Sequence, residues 1–240
     1  MRILTWNLER GVHHGRRVVD QQQAILAGYN ADLIVLTEVP AQLSTRQMSA
    51  VLSPVRREGN RGMEAWVSIT AVNCRPVDPL VPFERMAVAA RAVVNGEAIV
   101  VYGSVLPWLS AGHHAPYLHT SETETAAELF ARILREQVDD MANLRARWPD
   151  HTLIWAGDFN QTLSGPNYGG SNARRHLLQA ALDELDLVAW NQDAAHAKPS
   201  MHAVDLICGP ANRTRRKVTK FGPSLGAHTL SDHAGYVVEI

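Results

Sequence analysis

A mixed, mostly antiparallel α/β sandwich is the fold class that the sequence predicts, and three observations predict it. Short apolar runs rich in β-branched residues recur along the whole chain, and their brevity favours strands over helices. Longer amphipathic patterns separate several of them. The segment VVNGEAIVVYG sets Asn95-Gly96 between two strand patterns, a hairpin signal that argues for antiparallel pairing and against a purely parallel, doubly wound sheet.

Taken in order, the first run is Arg2 to Trp6, followed by a helical pattern from Arg17 to Tyr29 and a second run from Leu33 to Leu36. Ala65 to Thr70, Met86 to Val94 and Ala98 to Tyr102 come next, the last two forming the hairpin. Between Ser121 and Arg147, Leu129, Ile133, Val138, Met141 and Leu144 fall on roughly one helical face. Ser121 with Glu124 three residues later predicts a capping box at its start. A strand at Leu153 to Trp155, a helix from Asn172 to Leu185, and strands at Val204 to Ile207 and Gly235 to Ile240 complete the pattern. Long loops are expected at Leu106 to Thr120, Gly165 to Asn172 and Gly209 to Lys217, where function tends to concentrate. No repeat or linker divides the chain, so residues 1–240 are read as one domain.

Composition narrows the class. With 46% hydrophobic and 20% charged residues over 240 positions, the chain has the makings of a folded core. Its net charge of -1, from 23 Lys+Arg against 24 Asp+Glu, gives no global attraction to nucleic acid or an anionic membrane, so any polyanion must be gripped locally. Cys74 and Cys208 form no CxxC pattern, which predicts neither a disulfide framework nor a zinc site and makes a reduced, cytoplasmic protein the expectation. No signal peptide or membrane span is predicted.

Polar residues gather at the ends of the predicted strands. Asn7 and Glu9 follow RILTW, Glu38 follows LIVLT, Asp158 and Asn160 follow LIWAG, Asp205 lies in HAVDLI, and Asp232 and His233 precede the last strand. Any one of these reads equally as a turn residue or helix cap. Together, the motifs WNLE, LTEV, GDFN, VDLI and SDH resemble, in order and approximate spacing, those of the endonuclease/exonuclease/phosphatase superfamily. That superfamily includes pancreatic-type deoxyribonucleases, apurinic/apyrimidinic endonucleases, neutral sphingomyelinases and inositol polyphosphate phosphatases.

The resemblance implies a four-layered α/β/β/α sandwich with two mixed, mostly antiparallel sheets and an active site at one end of them. It implies Glu38 as the principal metal ligand, with Asn7 nearby as a further ligand and a substrate contact, Glu9 contributing directly or through water, and Asp232 as a ligand in a one-metal or two-metal arrangement; such oxygen donors suit Mg²⁺, with Mn²⁺ as a substitute. Asp158 matches the residue that orients and deprotonates the attacking water. Asn160, two positions on in an extended segment, points to the same face and donates to a phosphoryl oxygen, with Phe159 packed opposite. His233 contacts the phosphate, and Asp205 fixes its tautomer.

One position departs from the family pattern. Where a histidine or tyrosine is expected after the middle strand, this chain has Ser104 and Val105 in YGSVLPW. Ser104 stands as a weaker substrate-binding substitute, and His114, in a loop with His113, Tyr117 and His119, is a second candidate; a solvated loop is the plain alternative. Arg56, Arg57 and Arg61, Arg174 and Arg175, and the run Arg213 to Lys217 could hold a nucleic-acid backbone or merely solubilise loops. Trp108 and Tyr117 could stack on bases or cover a core edge. His13 and His14 read as a turn, and His202 as a rim residue. The expected substrate is a phosphate ester, with nucleic acid favoured, a small or lipid-derived phosphate second, and a catalytically silent binding module third. Oligomeric state is not legible.

Overall fold

The computed structural model describes residues 1–9, 15–43, 50–53, 63–79, 81–111, 118, 124–166, 170–213, 216–226 and 228–240. Among them, two six-stranded sheets pack face to face. The first sheet has the order β11-β14-β1-β2-β4-β3, formed by β1 (Arg2–Asn7), β2 (Leu33–Pro40), β3 (Ala50–Leu52), β4 (Met63–Ala71), β11 (Lys217–Phe221) and β14 (Gly235–Glu239). The second has the order β5-β6-β7-β8-β10-β9, formed by β5 (Arg75–Pro76), β6 (Ala87–Val94), β7 (Glu97–Val105), β8 (Thr152–Asp158), β9 (Leu187–Ala189) and β10 (Asp205–Pro210). Each sheet contains one parallel pair, β1 with β2 and β7 with β8, and is otherwise antiparallel. A short ribbon of β12 (Ser224–Leu225) and β13 (His228–Thr229) stands apart.

Strand alternation sorts the side chains into layers. Ile3, Leu33, Val35, Tyr236 and Val238 enter the core between the sheets, whereas Leu4, Trp6, Ile34, Leu36 and Val237 face the opposite side. There they meet Val18 and Leu26 of α1 (Gly15–Gly28). On the far face of the second sheet lie α2 (Ala126–Arg147) and α3 (Asn172–Glu184), with Tyr102 of β7 donating its hydroxyl to Asp140 of α2 at 2.9 Å. The result is the α/β/β/α sandwich. Because helices cover both outer faces, the strands are nearly continuous apolar runs rather than alternating ones, which explains why their sequence signal is short and dense.

The hairpin forms as expected: Val94 pairs with Glu97, and Asn95 and Gly96 both have positive φ, 52° and 83°, as a type I′ turn requires. The cap of α2 differs. The helix begins at Ala126, where Thr125 and Glu128 form the capping box; Glu124 precedes the helix and Ser121 lies outside the described residues. The expected loop from Gly209 to Lys217 overlaps the ends of β10 and β11, and the edge strands β3, β5, β9 and β11 are too short or too polar to have declared themselves.

Strand direction positions the site. The carboxy-terminal ends of β1, β2, β7 and β8 and the amino-terminal ends of β10 and β14 come to one end of the sandwich, and β1 packs across from β8 and β10.

Candidate active site

Asp158 ends β8 and is 2% exposed. It can lie this deep because Gly157, at φ 143°, has no side chain; a Cβ there would sit 2.0 Å from the Ser104 carbonyl oxygen. Three donors hold the carboxylate: Asn7 Nδ2 reaches Oδ2 at 3.0 Å, Asn160 Nδ2 reaches the same oxygen at 3.1 Å, and the Asn160 backbone N–H reaches Oδ1 at 2.9 Å. Burial still dominates and, with the charge of Asp205 adding to it, pushes the carboxyl up to about 7 against the pull of His233.

Asn160 comes to the site by a different route from the one expected. Its backbone is left-handed, φ 49°, so the segment turns back through an Asx-type bond instead of running on as a strand. Its amide is also anchored to the Leu106 carbonyl at 2.9 Å. Phe159 does pack away from the site, fully buried with its ring centroid 4.6 Å from that of Trp155.

From the first sheet come Asn7 and Glu38. Asn7 is 1% exposed; its Oδ1 accepts the Glu9 N–H at 2.8 Å, so its Nδ2 faces Asp158 and, at 3.4 Å, Glu38 Oε1. It therefore addresses both carboxylates as a donor. Glu38 has φ 48° inside β2, which breaks the strand alternation that would otherwise set it beside Leu36. Glu9, also left-handed at φ 51°, accepts the Asp232 N–H at 3.0 Å and so ties the end of β1 to the segment before β14.

His233 links the two sheets. Its Nδ1 lies 2.7 Å from Oδ2 of the fully buried Asp205, and its Nε2 lies 3.6 Å from Asp232. Ser231 fixes the segment by donating to the Asn7 carbonyl at 2.7 Å and accepting the His233 N–H at 3.0 Å, and Trp6 Nε1 donates to the His233 carbonyl at 3.2 Å. Burial of the ring opposes its charge, but the carboxylates of Asp205 and Asp158 outweigh burial and raise its pKa well above the ordinary value.

Glu38, Glu9 and Asp232 are oxygen donors, the ligand chemistry that a hard divalent cation takes. Asn7 Nδ2 reaches Glu38 Oε1 at 3.4 Å and Glu9 Oε2 accepts the Asp232 N–H at 3.0 Å, which brings the three acids to the same end of the sandwich. A second grouping, His196, Asp205 and His233, places one potential ligand atom from each within 4.8 Å of the others. In that grouping His233 Nδ1 and Asp205 Oδ2 are already engaged with one another at 2.7 Å.

Ser104 is a correction. Its side chain is fully buried on the helix-facing side of β7, where its Oγ accepts the Trp155 indole N–H at 2.8 Å. Val105, not Ser104, pairs with Asp158 and shares its face, so strand parity directs the Ser104 side chain away from Asp158. His114, with His13, His14, His113, Tyr117, His119, Arg56, Arg57 and Arg61, lies outside the described residues. Arg174 is buried and donates to the Pro107 and Ala126 carbonyls, while Arg175 donates to Thr162 and to the Gly165 carbonyl; both brace loops. Arg213 pairs with Glu97. Trp108 covers a core edge beside Trp66, and His202 Nδ1 lies 2.6 Å from Ser164 Oγ. His196, on an irregular segment without periodicity, carried no sequence signal.

Two packed mixed sheets carry a cluster of carboxylate, amide and histidine side chains at one end, and the family match makes the chain a phosphoesterase of the metal-dependent class. Residues 4–233 match the Endonuclease/Exonuclease/phosphatase family, and the chain belongs to that family. No curated protein matches it. Among solved structures it is similar to the 3'-5' exonuclease NExo from Neisseria meningitidis, at 18% identity and a TM-score of 0.64 over 100% of this chain and 99% of that one. It is also similar to the AP endonuclease LMAP from Leishmania major, at 12% identity and 0.67 over 99% and 86%. The endonuclease domain of TRAS1, a telomere-specific non-LTR retrotransposon, gives 15% and 0.63 over 100% and 97%. At such identities these likenesses establish a shared fold.

Proposed function

We propose that the protein is a Mg²⁺-dependent nuclease that hydrolyses phosphodiester bonds with a water activated by Asp158. The observation that carries this reading is the joining of two carboxylate systems across the sheets: Asp158 under Asn7 and Asn160, and Asp205 on His233 at 2.7 Å. Glu38 would be the main ligand of the cation, with Glu9 and Asp232 as further oxygen donors and Asn7 orienting Glu38. Bound there, Mg²⁺ supplies charge neutralisation at the phosphoryl oxygens; Mn²⁺ is expected to substitute.

Asp158 is the general base, a carboxyl held at about 7 and so matched to accept a proton near neutral pH. Asn160 turns its amide from Asp158 to a phosphoryl oxygen once substrate arrives. His233, kept protonated by Asp205, places positive charge where the pentacoordinate phosphate develops negative charge. The nuclease reading draws support from the solved neighbours, which are described as an exonuclease and two endonucleases.

A second reading, a phosphatase or phosphodiesterase acting on a small or lipid-derived phosphate, has its own support. Arg174, Arg175 and Arg213 are all committed to partners within the protein, which leaves less positive charge for a polynucleotide backbone. Supercoiled DNA, abasic duplex, single-stranded RNA, inositol phosphates and sphingomyelin, each assayed with Mg²⁺ and with chelator, separate the readings. Nucleic-acid cleavage abolished by chelator is expected. Turnover of the inositol phosphates or the lipid alone replaces the first reading by the second, and chelator-resistant turnover removes the metal. Inactivity throughout, with no cation binding by calorimetry, favours a silent binding module. Among the described residues no helix is long and apolar enough to cross a membrane; a soluble cytoplasmic protein remains our proposal.

A further inference from the structure

The Asp205–His233 pair has a third member. His196 is 4% exposed and stands edge-on to His233, with ring centroids 5.4 Å apart and planes at 73°. A ring nitrogen of each histidine and an Asp205 oxygen lie within 4.8 Å of one another. The backbone around His196 is clamped: Lys220 of β11 donates to the His196 carbonyl at 2.8 Å, Tyr236 of β14 donates to the Ala195 carbonyl at 3.0 Å, and the His196 N–H donates to the Met201 carbonyl at 2.9 Å. The ring is thereby fixed against the pair.

Its tautomer follows from its bonds. The Lys198 backbone N–H donates to His196 Nδ1 at 3.1 Å, so Nδ1 carries the lone pair. Burial lowers the pKa to about 4 against the opposing charge of Asp205. The ring is therefore neutral near pH 7, with its one proton on Nε2. That Nε2 has no hydrogen-bond partner among the described residues, and neither has Asp205 Oδ1. One is a buried donor and the other a buried acceptor; each is costly unpaired, and their chemistry is complementary.

We propose that His196 is a positioning residue for His233: its Nε2–H hydrogen-bonds Asp205 Oδ1 through one bridging water, so that the carboxylate holds one histidine on each oxygen. Held at both ends, Asp205 cannot rotate, and Oδ2 stays aimed at His233 Nδ1. The kinetic consequence rests on the reading of His233 as the group that meets the phosphate; the hydrogen-bonding arrangement itself does not.

The test compares His196→Phe, which removes both nitrogens but fills the space, with His196→Gln, which keeps an N–H donor. In substrate-free wild-type protein the His233 Nδ1–H should give a low-field proton resonance, assigned by its loss in Asp205→Asn. His196→Phe should shift or broaden that resonance and His196→Gln should largely restore it. On whichever substrate the wild type hydrolyses, His196→Phe should lower kcat about tenfold or more with KM little changed, with partial rescue by Gln. An unchanged resonance in folded His196→Phe overturns the proposal, as does a Gln variant no better than Phe. Stoichiometric Zn²⁺ binding that requires His196 overturns it in favour of a metal site. Because the resonance is read without substrate, an inactive wild type would defeat the nuclease reading while this inference is still decided.

Discussion

The first sheet brings Asn7, Glu38 and the Asp232-His233 segment to the site, and the second brings Asp158, Asn160 and Asp205; the acidic residues of the two halves live in different surroundings. Asp158 and Asp205 are 2% and 0% exposed, whereas Glu38 is half-buried and the Asp232 side chain is 49% exposed. Glu38 and Glu9 also occupy left-handed backbone, which costs a non-glycine residue about 1–3 kcal/mol and persists only where surrounding structure enforces it. Asn160, the left-handed residue of the second sheet's half, is of a type that tolerates the conformation. Open carboxylates on strained backbone suit a cation that keeps several of its waters. Sealed carboxylates suit a proton and a charged histidine. The comparison teaches that one cluster of acids can divide into a half open to solvent and a half sealed from it.

The sharpest way to break that division is to neutralise one acid in each half. Asp158→Asn should lower turnover by about 10³-fold or more, within the range for losing a general base, while Mg²⁺ affinity measured by calorimetry stays close to wild type. Glu38→Gln should instead weaken Mg²⁺ binding, with much of the rate recovered as Mg²⁺ is raised. Equal losses in both variants, neither rescued by Mg²⁺, would show the halves to be one unit. Asp205→Asn, which cuts the link between sheets at His233, should cost about 10²–10⁴-fold in kcat, because the imidazole remains but loses its orienting charge. A rate within twofold of wild type would remove Asp205 from the machinery.

A smaller effect is expected at Ser231, whose hydroxyl joins the Asn7 carbonyl to the His233 N–H. Ser231→Ala leaves both groups short of a partner in a buried place, and about 1–3 kcal/mol of stability should be lost in a urea titration. The rate should fall several-fold as His233 loosens. Loss of stability with no change in rate would assign the hydroxyl to the fold alone.

What the sequence made legible follows the same line. The central strands and the residues at their ends were readable because buried strands leave dense apolar runs and because Asn7, Glu38, Asp158, Asp205 and His233 interrupt them at consistent places. Residues whose placement depends on parity or on left-handed backbone were harder: Asn160 was expected from an extended segment, and Ser104 from a face that β7 gives to Val105. His196 was invisible, since only tertiary clamping by Lys220 and Tyr236 brings an irregular segment against Asp205. The start of α2 was misplaced because Ser121–Glu124 and Thr125–Glu128 have the same spacing, and only the backbone turn at Thr125 decides between them.

Ser104 offers the finest test of the comparison, because it neighbours the site in sequence but belongs to the other side of the sheet. Its Oγ serves the Trp155 indole at 2.8 Å, and strand alternation directs it towards α2 rather than towards Asp158. Ser104→Ala should therefore leave a buried indole N–H unpaired and destabilise the fold by about 1–3 kcal/mol, seen as a lower urea midpoint with the slope unchanged. Both kcat and KM should remain within about twofold of wild type, since surroundings that stay folded transmit little from a lost bond on the opposite face. A selective rise in KM at unchanged stability would mean that the hydroxyl reaches substrate, and the assignment of faces along β7 would have to be reversed.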